Sequence, residues 1–217
     1  MRIALIGNGN MGKIVYSIAK DQIIKIIDDF TNNKLEDNLN IDVIIDFSNR
    51  ENIKYIYDYA KRNMCKVVIA TTNLTNEDFS LLLELAKITA VLYDSNFSYG
   101  ITMLKKILKD NIELFKNYDV ELIERHHKYK KDAPSGTMKS FESIFKDKKI
   151  KYNTSVIRAG TIRGEHEVIF YGDDEYIEIK HTALSRKIFA IGALDSAKWL
   201  MNKEKGLFSY EDYIFDK

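Results

Sequence analysis

Residues suited to proton transfer and anion binding lie together in one short stretch, Glu124–Thr137, which reads Glu-Arg-His-His-Lys-Tyr-Lys-Lys-Asp-Ala-Pro-Ser-Gly-Thr. It contains two of the chain's four histidines and its only proline. An imidazole titrates near neutral pH, so His126 or His127 can give or take a proton during a reaction. Lys130 adds positive charge and a further transferable proton. These residue types indicate a site for a small dianion with an acid beside it.

The elements that must position this stretch are a strand before it and a helix after it. Val120 and Leu122 alternate with Glu121 and Ile123, which predicts a strand. Apolar residues then recur at helical spacing from residue 138 to residue 145. The stretch is therefore predicted to be a strand-to-helix loop, where catalytic groups are often mounted.

The start of that helix is a candidate anion site. Ser135 is a good N-cap, and Gly136 removes side-chain bulk at the helix entry. Backbone N–H groups at a helix start can hold a carboxylate or phosphate, so Ser135, Gly136 and Thr137 are predicted to bind one. The alternative is a basic surface loop with incidental histidines. The helix entry beside the histidine pair favours the site.

A second motif follows the first predicted strand, Ile3–Ile6, and opens a helix pattern. It has the form G-x-G-x-x-G and consists of Gly7, Asn8, Gly9, Asn10, Met11 and Gly12. Between a strand and a helix, this spacing indicates dinucleotide binding. The three glycines would allow the tight turn, the approach of pyrophosphate and helix–strand packing. The alternative is a coincidental glycine-rich turn.

Two acids after the second predicted strand, Ile23–Ile27, bear on the choice of cofactor. Asp28 and Asp29 stand about 20 residues after the glycines, where an acid binds the ribose hydroxyls. They would repel a 2′-phosphate, and Lys34 is the nearest cation downstream. The pattern permits NADH or NADPH and slightly favours NADH.

Strands alternate with helices through the first half of the chain, which predicts a parallel sheet covered on both faces. Ligands of such sheets bind at the carboxyl ends of the strands. A capping box of Ser48 with Glu51 is predicted to open the second helix. The third helix is predicted to bury Phe79, Leu82, Leu83 and Ala86. The strand ends beyond the glycine motif hold Asp46, Phe47, Ser48, Ala70, Thr71, Thr72, Ser95, Asn96 and Phe97.

The second half is predicted to be an inserted α+β domain. Strand patterns at 165–171 and 176–183 flank a hairpin turn, and a last helix, 188–201, is predicted to return to the first domain. The expected boundaries are 1–97 with 187–217 for nucleotide binding, and 98–186 for substrate binding and oligomerisation. His166 and His181 are interpreted as structural more readily than catalytic.

Composition limits the class of protein. The chain has 217 residues, a formal net charge of +1 and 45% hydrophobic residues, so no bulk charge favours nucleic acid or an anionic membrane. Cys65 is the only cysteine, which excludes an internal disulfide and a Cys-rich metal site, and no metal is expected. With no signal peptide and no long apolar run found, a cytoplasmic protein is expected.

The stretch Glu124–Thr137 resembles the dihydrodipicolinate reductases of lysine biosynthesis, whose signature is E-x-H-H-x-x-K-x-D-A-P-S-G-T; it matches at every fixed position. Further similar segments are the strand ends above, Arg158–His166, and Ser185–Ala190. Departures from the family pattern occur at Ala70, Asn73 and Ile191. The similarity spans nearly the whole chain.

The resemblance implies an enzyme that reduces dihydrodipicolinate, formed from 4-hydroxy-tetrahydrodipicolinate, to tetrahydrodipicolinate with NADH or NADPH. His126 would donate the proton that follows hydride addition, with Lys130 as the rival donor. His127 and Lys130 would help to neutralise the dicarboxylate substrate. Arg186 and Phe189 would join the cofactor site. The family is usually tetrameric, through the exposed face of the C-terminal sheet. The alternatives are another nicotinamide-dependent amino-acid dehydrogenase, or a non-catalytic nicotinamide-sensing relative.

Overall fold

The computed structural model describes residues 1–28 and 35–216. The chain divides into two compact units, one formed by Met1–Phe97 with Lys187–Lys217 and the other by Ser98–Arg186. The described residues form ten strands: β1 (Ile3–Ile6), β2 (Ile23–Ile27), β3 (Val43–Asp46), β4 (Lys66–Ile69), β5 (Ala90–Tyr93), β6 (Asp119–His126), β7 (Asn153–Arg158), β8 (Glu165–Tyr171), β9 (Tyr176–Thr182) and β10 (Gly206–Phe208). They also form seven α-helices: α1 (Asn10–Ala19), α2 (Ile53–Asn63), α3 (Asn76–Ala86), α4 (Tyr99–Asn111), α5 (Gly136–Asp147), α6 (Lys187–Leu200) and α7 (Tyr210–Phe215).

The first unit is built on a six-stranded sheet in the order β10-β5-β4-β3-β1-β2, with every neighbouring pair parallel. β1 and β3 are buried at every residue, as their continuous apolar runs predict for strands covered on both faces. The chain order reverses at β1, which lies between β2 and β3. This is the Rossmann-like sheet that the sequence predicts, and its switch point marks the ligand-binding edge.

The predicted return helix, α6, packs on β3, β4 and β5 of this sheet. Its inner face is made of small residues, which bring its backbone close to the neighbouring chain. A Cβ added at Gly192 would lie 2.1 Å from the carbonyl oxygen of Phe97, so only glycine fits there. β10 and α7, which follow α6, were not among the predicted elements.

The second unit carries a four-stranded mixed sheet in the order β7-β6-β8-β9. β6 is parallel to β7 and antiparallel to β8, and β8 is antiparallel to β9. Even-numbered residues of β6 are buried, among them Val120, Leu122 and Glu124, whereas the odd-numbered residues are exposed or half-buried. The buried face packs in a core with apolar residues of α4 and α5, including Phe141 and Phe145.

Local details of three helices differ from the sequence predictions. The predicted capping box is wrong, because the side chain of Asn49, not Ser48, accepts from Glu51 N, and a 3-10 turn precedes α2. On α3, Phe79 and Leu83 are exposed, and Leu85 lies in the core instead. On α4, Ile107 follows the buried Ile101 and Leu104 at helical spacing, yet it is exposed.

Candidate active site

The glycine motif forms a tight turn at the carboxyl end of β1. Gly7 has φ +96°, a region that favours glycine, and its N–H donates to Ile27 O at 2.7 Å. A Cβ at Gly7 would lie 2.6 Å from Phe47 O. Phe47 N in turn donates to Ile6 O at 2.9 Å. The turn therefore ties together the ends of β1, β2 and β3.

The start of α1 offers an open backbone surface beside this turn. Gly9 is the N-cap and makes no side-chain cap, and no described atom lies within 4 Å of a Cβ placed there. A Cβ at Gly12 would lie 1.9 Å from Gly7 O, so the helix packs directly on the turn. The N–H groups of a helix's first turn lack intrahelical partners and attract anions. The geometry thus fits a pyrophosphate group, with Asn8, Asn10 and Met11 in the same turn.

A buried acid, Asp46, organises the next strand end. Its Oδ1 accepts from Ser48 N at 3.0 Å and from Ser48 Oγ, and Asn52 Nδ2 donates to Ser48 Oγ at 2.8 Å. Burial raises the pKa of Asp46 to about 6, although the hydrogen bonds from Ser48 oppose this. Asp46 therefore fixes the conformation of the Phe47–Ser48 turn through its buried carboxylate.

The remaining residues predicted to bind cofactor have mixed surroundings. Thr71 is buried, and Phe97 is buried with its ring 5.3 Å from that of Tyr210, so the Phe97 side chain belongs to the core. Phe189 is half-buried on α6 and Arg186 ends the second unit. Asp29 and Lys34 lie outside the described residues. The other predicted residues at the strand ends are exposed or half-buried: Asp28, Ala70, Thr72, Ser95 and Asn96.

In the second unit, strand pairing gathers a buried carboxylate and two imidazoles. Glu124 and His126 lie on the same face of β6, and His166 stands opposite Glu124 on β8. His126 Nδ1 is 3.7 Å and His166 Nε2 is 3.8 Å from Glu124 Oε2. The imidazole rings meet edge to face at a centroid separation of 5.2 Å.

The other oxygen of Glu124 is held by two strong donors. Oε1 accepts from Ser135 N at 3.0 Å and from Arg158 Nη2 at 2.6 Å. Burial acts to raise the pKa of Glu124, but these hydrogen bonds outweigh it and hold the pKa below its ordinary value. Arg158 also donates to Asp132 O at 2.6 Å. Glu124 is therefore a buried anion with a matched guanidinium.

His126 and His166 are both neutral at pH 7 in the ligand-free protein. Burial lowers the pKa of His126 to about 4; Glu124 opposes that effect, whereas Lys130 and Arg158 add to it. Burial lowers the pKa of His166 to about 3, with His126 adding to it. His127 is half-buried, and the ammonium of Lys130 pairs with Asp132 Oδ1 at 2.8 Å.

Helix α5 begins beside this cluster, as predicted. Ser135 is its N-cap, and Ser135 Oγ accepts from Met138 N at 3.2 Å and lies 3.4 Å from His166 Nε2. Because its N–H donates to Glu124 and its hydroxyl oxygen accepts from Met138 N, Ser135 supports the helix start. Binding of a carboxylate by Ser135 stays a prediction. No described atom lies within 4 Å of a Cβ placed at Gly136. The open part of the site is thus Gly136, next to the half-buried Thr137 in the first turn of α5.

Sequence reasoning gave no role to Glu124 or Arg158 and treated His166 as structural. The alternation along β6 was the available signal, because residues two apart in a strand share a face. Glu124 and His126 follow from it. The positions of His166 and Arg158 depend on the register of β6 with β8 and β7.

Solved structures share this architecture. A structure described as a dipicolinate-bound dihydrodipicolinate reductase from Paenisporosarcina sp. TG-14 matches with a TM-score of 0.79 at 18% identity, covering 99% of each chain. A Corynebacterium glutamicum DAP dehydrogenase in complex with DAP matches with a TM-score of 0.56 at 11% identity, covering 98% of this chain and 93% of that one. These likenesses establish the fold. With the glycine turn, they define a class of proteins that have a Rossmann-like domain.

Family models identify the particular member of this class. The models described as dihydrodipicolinate reductase, N-terminus and C-terminus, match residues 1–97 and 100–214. The chain belongs to the dihydrodipicolinate reductase family. A 4-hydroxy-tetrahydrodipicolinate reductase of Clostridium novyi (strain NT) is 37% identical, with 97% of this chain and 96% of the relative covered. Another, of Rickettsia rickettsii (strain Sheila Smith), is 38% identical over 98% of each.

The buried acid Asp46 generates a prediction about stability. Its pKa of about 6, against an ordinary 3.8, means that its stabilising contribution is complete below pH 3.8 and is lost as pH rises through 6. Replacing Asp46 with Asn removes that loss. The stability of Asp46→Asn relative to wild type should therefore rise by about 1–2 kcal/mol between pH 5 and pH 8.

Urea unfolding at both pH values measures this difference. Asp21→Asn, at an exposed acid of the same unit, is the matched control and should show no such trend. A pH-independent difference between Asp46→Asn and wild type would mean that Asp46 ionises at its ordinary pKa.

Proposed function

We propose that this protein catalyses the nicotinamide-dependent reduction of dihydrodipicolinate, formed from 4-hydroxy-tetrahydrodipicolinate, to tetrahydrodipicolinate in diaminopimelate and lysine biosynthesis. The observation that carries the proposal is the buried His126 beside the open start of α5 in one unit. A proton donor and an anion site are the two things that reduction of a small dicarboxylate needs from a protein. The name of the curated relatives supports the same reaction.

The open helix start would bind one substrate carboxylate. Its first-turn N–H groups carry the positive end of the helix dipole, and Gly136 leaves the approach clear. Thr137 would contribute its N–H and hydroxyl. His127 and Lys130 would offset the second negative charge of the dianion.

His126 would supply the proton, with Lys130 as the rival donor. In the free protein His126 is neutral, since its pKa is about 4. A bound dianion favours imidazolium, so substrate binding would raise this pKa toward the working pH. His126 would therefore become an acid when substrate is present, which couples protonation to binding.

The first unit would hold the cofactor, which supplies the hydride when bound. Gly9 and the start of α1 would receive the pyrophosphate, while Gly7 and Gly12 keep the turn against the sheet. Asp28 would bind the ribose hydroxyls, and its charge slightly favours NADH over NADPH. Around the nicotinamide we place the turns that end β3, β4 and β5.

The open face of the second sheet would form a homotetramer. Ile157 and Tyr171 are exposed on β7 and β8, and the Arg125 guanidinium pairs with Glu167 on the same face. A face on which exposed apolar residues lie beside paired charges suits association of identical chains.

None of the described helices is long and apolar enough to cross a membrane. We place the enzyme in the cytoplasm, where its family's biosynthetic route operates.

The reaction is tested with the product of the upstream synthase, generated in a coupled assay, and with each nicotinamide. Wild type should oxidise the cofactor only when that product is present. His126→Gln should lower kcat by roughly 10²–10⁴-fold, the usual contribution of a general acid, with cofactor affinity near wild type. A fall of less than about fivefold, well below that range, would make Lys130 the donor. Absence of wild-type turnover would contradict the function itself.

Cofactor preference is a separate prediction. Titration calorimetry should show that NADH and NADPH both bind, with NADH at least as tight, because Asp28 repels a 2′-phosphate. Asp28→Ser should improve NADPH binding more than NADH binding. Tenfold tighter NADPH binding to wild type, a difference of about 1.4 kcal/mol, would contradict the assigned ribose site.

The anion site predicts the behaviour of Gly136→Val. The added side chain points into open space, so folding should survive, but it would cover the helix start. Substrate KM should rise or activity should vanish, and nicotinamide binding should stay intact. Pyridine-2,6-dicarboxylate, which carries two carboxylates on a planar ring, should inhibit wild type and bind poorly to the variant. Gly136→Ala should fall between the two, and equal analogue affinity in all three proteins would place the carboxylates elsewhere.

A further inference from the structure

The feature that the proposed roles leave unused is the inward-facing oxygen of Glu124. Glu124 is fully buried, and its Oε1 is already occupied by Ser135 N and Arg158 Nη2. Within the described residues, Oε2 has no hydrogen-bond partner. It instead faces His126 Nδ1 at 3.7 Å and His166 Nε2 at 3.8 Å. A buried carboxylate oxygen without a hydrogen-bond donor lowers the stability of the folded protein. The placement of Oε2 between two imidazoles therefore indicates a function.

We infer that Glu124 is the positioning residue that fixes the tautomer of His126, keeping a proton on Nδ1 and leaving Nε2 as the atom that exchanges protons with substrate. A carboxylate beside one ring nitrogen selects the tautomer whose N–H points toward it. The present separation is an ion-pair distance and is too long for a hydrogen bond. Catalytic contacts of this kind commonly shorten when substrate is bound.

The other side of the imidazole supports this assignment. A Cβ placed at Gly164 would lie only 3.2 Å from His126 Nε2. Any larger residue at position 164 would cover that nitrogen. Glycine there leaves Nε2 uncovered on the edge of the ring that faces away from Glu124.

With this tautomer, each proton in the transfer from His126 to the substrate is accounted for. Substrate binding brings a proton to His126, which becomes imidazolium with N–H bonds at both nitrogens. The Nε2–H bond breaks as the proton passes to the substrate after hydride addition, and neutral His126 keeps its Nδ1 proton toward Glu124. No co-reactant is needed beyond the nicotinamide and the proton.

The charges around His126 determine how it responds to loss of Glu124. The groups that face it are Glu124 and Asp132, which favour imidazolium, Lys130 and Arg158, which disfavour it, and His166, which is neutral. Removing the Glu124 charge leaves the two cations less opposed. The pKa of His126 should therefore fall further, and the acid form should become scarcer at any given pH.

A bound cation is the competing explanation for the cluster. The ligand atoms of Glu124, His126 and His166 lie within 4.8 Å of one another, a spacing that a divalent ion could span. However, Arg158 already neutralises the carboxylate from 2.6 Å, and a second positive charge beside it would be repelled. Hydrogen bonding to imidazole therefore fits these charges better.

The same carboxylate also fixes the anion site. Its Oε1 accepts the N–H of Ser135, the N-cap from which α5 starts. Glu124 thus connects the proton donor to the helix start beside Gly136. Glu124→Gln keeps the size and one accepting oxygen, so it removes the charge with little change to this connection.

Nitrogen NMR of the histidine rings tests the inference directly. The chain has only four histidines, so spectra of protein labelled with ¹⁵N-histidine can be assigned with single His→Gln variants. At pH 7, His126 of wild type should be mainly the Nδ1–H tautomer, whereas Glu124→Gln should move it toward Nε2–H, the form preferred by free histidine. Glu121→Gln is the matched control, because Glu121 lies on the same strand and pairs with Ser155 on the opposite face. The same His126 tautomer in wild type and Glu124→Gln would overturn the inference.

Turnover gives a second readout, which rests on the proposed function. In Glu124→Gln, kcat should fall, and the pH above which activity declines should move to lower pH by about one unit or more. Nicotinamide affinity should not change. Gly164→Ala should also lower kcat while leaving the His126 tautomer as in wild type.

Because the NMR experiment needs no substrate, an inactive wild type would contradict the proposed reaction and leave the tautomer result to decide the inference. Loss of the wild-type tautomer after EDTA treatment would identify Glu124 as a metal ligand and overturn it.

Discussion

The candidate active site depends on one buried ion pair, between Glu124 and Arg158. A carboxylate removed from water costs several kcal/mol unless it is paired and hydrogen-bonded. Here Arg158 and the Ser135 N–H satisfy one oxygen, which keeps Glu124 ionised within the core. The other oxygen is left to act on His126 and His166. Without the guanidinium, Glu124 would lose a strong hydrogen bond and a compensating charge, and its pKa would rise.

In the first unit, the candidate binding site depends on the room that glycines leave, and not on buried charges. At Gly7 and Gly12 the neighbouring backbone occupies the place of a Cβ, whereas at Gly9 that place is open. Two glycines are therefore required by packing and the third leaves room for a ligand. The turn beneath is set by Asp46, whose buried carboxyl holds Ser48. In the first unit, glycines position the N–H groups at the start of α1. In the second unit, the buried charges of Glu124 and Arg158 lie beside the N–H groups at the start of α5.

The fold followed from the sequence because its strands are short apolar runs between strong turn signals, and β6 alternates cleanly. The site was only partly predictable. Glu124 and His126 share a strand face, but His166 reaches them through antiparallel pairing across 42 positions of sequence, which composition does not reveal. Asn73 shows a similar limit: it stands where the family has glycine and adopts φ +62°, a conformation that asparagine tolerates better than most residues. Ser135 was predicted both as the N-cap and as a carboxylate ligand; the hydrogen bonds confirm the cap, and the ligand role stays a prediction.

A histidine that is neutral in the free protein is a poor acid until something restores its proton. Burial lowers the pKa of His126 to about 4, so at pH 7 its imidazole is neutral in most molecules. A bound substrate with two carboxylates would oppose this effect by adding negative charge near the imidazole, because charges interact more strongly once water is excluded. If His126 is the proton donor, as proposed, the protein would hold it inactive while empty and activate it with the charge of the substrate. Burial of His126 would then limit the imidazolium form to the complex in which its proton can be used.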